Sequence, residues 1–250
     1  MKKVLIISLT IISFVVLAFV AYNYKTKTSF KYQNQEPKEV EQIAQDAISE
    51  VVNKEAQSSE PRRIDAKILQ ITNSELAIGD KNAPVVMIEY ASLSCPHCAA
   101  FHREAFLKLK EEYIDSGKVR FSYRNFPLNQ PALAAAMTAS CRAQDEQINK
   151  SDIYHKFIKA LFKTQDSWAF DQKYIDKLEA IAMLDGMSSE RFRRCIEDNR
   201  LQTKFLEDRM NVAKTLQLHS TPTFYINGEV LEGYIDYRTI KKAIERNLKK

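Results

Sequence analysis

Cys95-Pro96-His97-Cys98 sets two thiols three positions apart, a spacing at which one turn of helix brings their sulfurs together. The run before it, Val85-Val86-Met87-Ile88-Glu89-Tyr90-Ala91, is short, β-branched and apolar, and reads as a buried strand. Pro96 is a favoured first residue of a helix, and Ala99, Phe101, Ala105, Phe106 and Leu109 continue at helical spacing. A cysteine just ahead of a helix faces unpaired N–H groups and the positive end of the macrodipole, which favour its thiolate. Thiolates attack disulfides, so Cys95 is the expected nucleophile and Cys98 the resolving thiol. The chemistry implied is thiol–disulfide exchange, with no cofactor beyond the Cys95–Cys98 pair.

Zinc is the competing use of such a motif, but it usually needs a second pair of ligands at similar spacing. Cys141 and Cys195 each stand alone. His155 and His219 are isolated, and His97 and His102 lie beside the cysteines, so they add no distant second half. No metal site is expected. A purely structural disulfide inside one helical turn would be strained and easily reduced.

The elements that must position this pair follow from the pattern around it. After the redox helix, Lys118–Arg124 alternates as a strand with Val119, Phe121 and Tyr123 on one face. Residues 131–216 carry only helical patterns. The Ala-rich stretch Ala132–Ala143 comes first. One stripe follows at Ile153, Phe157, Ile158, Leu161 and Phe162, and another at Ile175, Leu178, Ile181 and Ala182. A fourth helix, capped by Ser188, is expected to run through Phe192, Cys195, Ile196, Phe205, Leu206 and Met210. Strands return at Thr223–Ile226, turn at Asn227-Gly228 as a type I′ hairpin, and pair again at Glu229–Leu231. Tyr237–Leu248 closes as a helix.

The N-terminus is of another kind. Met1-Lys2-Lys3 precedes an uncharged run from Val4 to Tyr24, a signal peptide or N-terminal membrane anchor (1–24), with cleavage favoured. Both alternatives put the functional region outside the cytoplasm. Residues 25–62 hold a polar spacer and an amphipathic helix whose apolar stripe (Val40, Ile43, Ala44, Ala47, Ile48, Val51, Val52) needs a partner, either this domain or a second copy. An oligomer through residues 38–57 is therefore open. The net charge of +5 is small and evenly spread, which argues against a nucleic-acid partner. Four cysteines make an even set suited to an oxidising compartment, and pairing Cys95 with Cys98 leaves Cys141 with Cys195.

These residues resemble a known family. Cys95-Pro96-His97-Cys98 with Phe101-His102, the stretch Ser220–Gly228, and Gly79–Val85 leading into the first core strand are similar to the signatures of the DsbA family of bacterial periplasmic thiol:disulfide oxidoreductases. The resemblance covers about residues 66–248. It implies an α/β thioredoxin fold with an inserted all-helical subdomain. An N-terminal thioredoxin-like segment (63–130) carries the CPHC site, the insertion spans 131–216, and a C-terminal thioredoxin-like segment (217–250) carries a cis-proline loop. The resemblance also implies that Pro222 is cis, with the Thr221 backbone facing client protein beside Cys95. Glu89 is implied to be a buried acid exchanging a proton with Cys98, and Cys141–Cys195 a structural bridge as in one subset of the family. His97 would add a donor or positive charge to the Cys95 thiolate. The implied partners are exported client proteins with free cysteines and a membrane redox partner of the DsbB type. The activity implied is introduction of disulfides. The alternative is an isomerase or reductase that oligomerises through the N-terminal helix.

Overall fold

Val85–Ala91 is apolar except at Glu89 because the strand it forms is covered on both faces. The computed structural model describes residues 61–249. The 1–24 leader and the 38–57 amphipathic segment lie outside the described residues. No helix among the described residues is long and apolar enough to cross a membrane.

Five strands, β1 (Ala77–Ile78), β2 (Val85–Ala91), β3 (Val119–Asn125), β4 (Thr223–Ile226) and β5 (Glu229–Glu232), form one sheet in the order β1-β3-β2-β4-β5. β2 and β3 run parallel; β1–β3, β2–β4 and β4–β5 are antiparallel. Strand alternation splits β2 between two cores. Val85, Met87 and Ala91 join Phe101, Phe121, Ile240 and Ile244, whereas Ile88 and Tyr90 join Leu69, Phe126, Leu218 and Tyr225. Glu89 falls on the Met87 face. β4 and β5 are joined through Asn227 (φ 45°) and Gly228 (φ 85°), the two left-handed residues of a type I′ turn. A Cβ on Gly228 would sit 2.4 Å from the Ile64 carbonyl oxygen, so glycine is required there.

Between β2 and β3, α1 (Pro96–Glu104) and α2 (Phe106–Leu109) are separated by a break at Ala105 and followed by a wide turn, Lys110–Ile114. Between β3 and β4 the chain is helical: α3 (Gln130–Gln144), α4 (Lys150–Lys163), α5 (Gln165–Trp168), α6 (Tyr174–Leu184), α7 (Ser189–Ile196) and α8 (Asn199–Thr215). α9 (Tyr237–Leu248) closes the fold, capped by the Asp236 carboxylate on Thr239 N–H. This is a thioredoxin fold with a helical insertion. α3 is buried nearly all round, which its small alanine side chains permit. The Cys141–Cys195 disulfide ties α3 to α7 inside the insertion (Cα–Cα 6.3 Å).

The expected fourth helix of the insertion is two helices. Ser188 caps α7 as read, but the Asp198 carboxylate accepts from Arg200 and Leu201 N–H and so starts α8 afresh. Leu206 and Met210 lie exposed on α8 rather than in the core (40% and 58% accessible). The sequence pattern also gave no sign of a buried ionic knot at the sheet edge. Glu229, fully buried on β5, accepts from Arg63 and Asn247 at 3.1 Å each and from Arg246.

Candidate active site

β2 delivers the chain into Ser92–Ser94, a tight turn held by the Ser92 hydroxyl, which accepts from the N–H groups of Ser94 and Leu128. The turn sets Cys95 as the N-cap of α1 in extended conformation (φ −83°, ψ 121°), with Pro96 leading the helix. No side chain caps this helix, so the sulfur of Cys95 occupies the position a capping oxygen would take. Cys95 is 6% accessible, while Pro96 and His97 are exposed. Cys98, one turn on, is fully buried, and both thiols are free.

The two sulfurs are driven in opposite directions. The Cys98 thiol hydrogen-bonds Cys95 and is the largest influence holding the Cys95 pKa down to about 5. Burial opposes it, and the Thr221 side chain and the backbone N–H groups of Cys98 and His97 reinforce it. Burial is also the main cause that pushes Cys98 well above the ordinary thiol range. Its bond to Cys95 and the nearby Glu89 carboxylate add to that, against a backbone hydrogen bond from Ser92. One sulfur is a thiolate at neutral pH and the other keeps its proton.

His97 meets Cys95 through its main chain. Its backbone N–H faces the sulfur, while its ring leans on the Tyr234 ring at 5.9 Å. Side chains on the first turn of a helix point outward from its N-terminus, which takes the imidazole toward solvent.

The Thr221–Pro222 peptide is cis. The Thr221 carbonyl oxygen lies 3.3 Å from Cys95 Sγ, and β4 begins just beyond the proline, pinned by the Thr223 hydroxyl on Ser220 C=O (2.8 Å). Glu89 is fully buried on β2, and desolvation raises its pKa, with His102 pulling the other way.

Two residues of this neighbourhood escaped the sequence reading. His102 Nε2 is 2.8 Å from Glu89 Oε2, both side chains almost wholly buried. The signal was present: His102 stands four residues after Cys98 and so shares its helix face. Gln165, on α5 and fully buried, donates to the carbonyls of Leu93 (2.7 Å) and Cys95 (3.0 Å), lacing the redox turn to the insertion. No local pattern could have shown that contact across 70 residues of chain. Among the described residues no three His, Cys, Asp or Glu side chains are grouped to hold a metal. What the site offers chemically is a stabilised thiolate, a buried thiol, a buried acid and the Thr221 carbonyl beside Cys95.

The family model described as thioredoxin matches residues 71–246. A protein named as a protein-disulfide oxidoreductase in Rickettsia typhi is 34% identical over 72% of this chain, and the match spans 64% of that relative, just under two-thirds of its length. Disulfide bond formation protein D of Bacillus subtilis is 27% identical over 69% of this chain and 76% of the relative. Among solved structures, alpha-DsbA1 of Wolbachia pipientis superposes with a TM-score of 0.68 at 32% identity, covering 74% of this chain and 96% of that one.

Proposed function

The chain belongs to the DsbA-like branch of the thioredoxin family, and from that premise we propose that it is a protein-disulfide oxidoreductase that introduces disulfide bonds into exported proteins. The observation that carries this reading is the division of labour between the sulfurs, with Cys95 held down to about 5 and Cys98 buried and protonated. A stabilised Cys95 thiolate favours the reduced enzyme, so the Cys95–Cys98 disulfide is readily given away. For comparison, the reactive thiol titrates near about 7 in thioredoxin and about 3.5 in DsbA.

In the forward reaction a client thiolate attacks Cys95 of the oxidised pair and Cys98 leaves, taking a proton by way of Glu89. A second client thiol then displaces Cys95 as the thiolate, and the client carries the new disulfide. The Thr221 backbone supplies an edge along which an extended client segment lies beside Cys95. Cys141–Cys195 acts as a structural bridge. Its position, together with the 1–24 leader, supports work in the periplasm, where disulfides persist. Reoxidation falls to a membrane partner of the DsbB type.

The test is the reduction potential of Cys95–Cys98 in the full chain, equilibrated in glutathione buffers with thiols trapped. A value well above the about −270 mV of thioredoxin and toward about −120 mV supports the oxidase. A value near that of thioredoxin moves the reading to the isomerase or reductase that the apolar stripe of residues 38–57 favours.

A further inference from the structure

Glu89 and His102 come from different elements, β2 and α1, and meet at 2.8 Å with 0% and 4% of their surfaces accessible. The imidazole is fixed by its neighbours. It stacks on Phe162 of α4 (centroids 4.3 Å apart, planes at 20°) and tilts against Phe106 at 4.8 Å. Two atoms of the pair have no partner, Glu89 Oε1 and His102 Nδ1. Two proton arrangements fit this contact. If Glu89 were an acid donating to Nε2, the ring's own N–H would sit on Nδ1, a buried donor facing nothing. If Nε2 carries the proton, both orphans are acceptors, and the N–H bond from His102 offsets part of the cost of burying the carboxylate charge. The free oxygen, Oε1, is then the open proton acceptor in the neighbourhood of Cys98, whose thiol Glu89 acts on electrostatically.

We propose that His102 is a positioning residue for thiol–disulfide exchange: its Nε2–H pins one oxygen of Glu89, leaving Oε1 free to take and return the Cys98 proton. This rests on the oxidoreductase reading above. Take oxidation of the reduced pair by glutathione disulfide. The Cys95 thiolate attacks it, forming a mixed disulfide and releasing one glutathione thiolate. Cys98 gives its proton to Oε1, and its thiolate attacks the Cys95 sulfur. The Cys95–glutathione bond breaks, and the second glutathione leaves as thiolate with the electron pair. Two electrons have passed from the dithiol to glutathione. Without the His102 bond the carboxylate has no fixed orientation, and the second step suffers while the first does not.

The ionisable groups around the His102 ring are Glu89 from β2, Cys98 from α1 and Cys95 at its N-cap, Tyr123 from β3 (rings 6.0 Å apart) and His155 from α4. Burial holds His155 down to about 4 and Tyr123 well above the usual phenol range, so neither changes charge near neutrality.

The experiment uses the full chain with glutathione disulfide as oxidant, resolving mixed-disulfide formation from closure of Cys95–Cys98 across pH. Ring-nitrogen NMR reads the His102 tautomer in the reduced protein. The expected result is an Nε2–H tautomer and a His102→Phe variant that closes about tenfold more slowly with a shifted pH profile, the weight of one charge-assisted hydrogen bond. Formation of the mixed disulfide keeps its rate. His102→Gln, whose amide can donate to the same oxygen, recovers much of the loss. An Nδ1–H tautomer, or His102→Phe closing with wild-type rate and profile, overturns the proposal. Should His102→Phe not fold, the tautomer in the unmodified protein decides alone. An unmodified chain that exchanges nothing with glutathione disulfide overturns the oxidoreductase reading itself, which is a different result from exchange that ignores His102.

Discussion

Cys95 Sγ lies 3.3 Å from the carbonyl oxygen of Thr221, a residue 126 positions further along the chain. That carbonyl accepts from the protonated thiol and so favours the neutral form. The Thr221 side chain, the Cys98 thiol and two helix N–H groups favour the thiolate, and together they win, bringing Cys95 to about 5. Once Cys95 is ionised the thiol no longer donates to that carbonyl.

Because the Cys98 thiol is the largest influence on Cys95, Cys98→Ala is expected to raise the Cys95 titration midpoint by about one to two units. That is what a hydrogen bond to a charged group, about 1.5–3 kcal/mol, implies at about 1.4 kcal/mol per unit. Thiolate absorbance against pH measures it. A midpoint still near 5 in the variant would assign the effect to the helix N–H groups.

The Cys95 contribution to pH-dependent stability should appear in the reduced protein only. The folded state lowers the Cys95 pKa from 9.0 to about 5, so its contribution is complete above 9 and is lost as pH falls toward 5. In the oxidised protein Cys95 does not titrate. The melting temperature of the reduced form relative to the oxidised form is therefore expected to rise steadily from pH 6 to pH 8. Paired calorimetric scans would show it, and a gap that stays flat over that window would contradict the depressed pKa.

Gln165→Leu is expected to destabilise the reduced protein by about 1–3 kcal/mol in urea unfolding, since it takes the side-chain donor from the buried Leu93 and Cys95 carbonyls. The Cys95 carbonyl keeps its bond from Ala99 N–H, so most of the loss falls on Leu93.

Replacing Cys141 and Cys195 together by alanine opens a loop with a sequence separation of 54. The chain-entropy model sets the cost at about 4 kcal/mol. The reduction potential of Cys95–Cys98 should not move, because the bridge joins α3 to α7 and lies outside the redox turn. A changed potential would instead give the second cysteine pair a redox role.

The readable regions of this protein were those governed by neighbours in sequence. Val85–Ala91, the helix from Pro96, the Asn227-Gly228 hairpin and the terminal helix Tyr237–Leu248 follow from apolar period, proline position and turn chemistry, and they stand where those signals put them. Where a local signal competed with another, the reading slipped. The apolar residues Phe205, Leu206 and Met210 suggested that the Cys195 helix continues, but the Asp198 carboxylate found two free N–H groups and began a new helix. The two-residue strand β1 is too short to carry any period, and it exists because β3 offers it an edge.

The sequence by itself determined the reacting pair: cysteines three apart, at the junction of a strand and a proline-led helix, make thiol–disulfide chemistry a local property of residues 85–109. It also implied the hairpin and the helical insertion. Only the tertiary structure decided which groups tune that pair. Thr221 reaches Cys95 over 126 residues and Gln165 over 70, while Glu89 and His102 meet because β2 and α1 enclose one core. Hydrogen bonds and desolvation act over a few ångströms of space, whatever the distance along the chain. The electrostatics of this site therefore belongs to the fold.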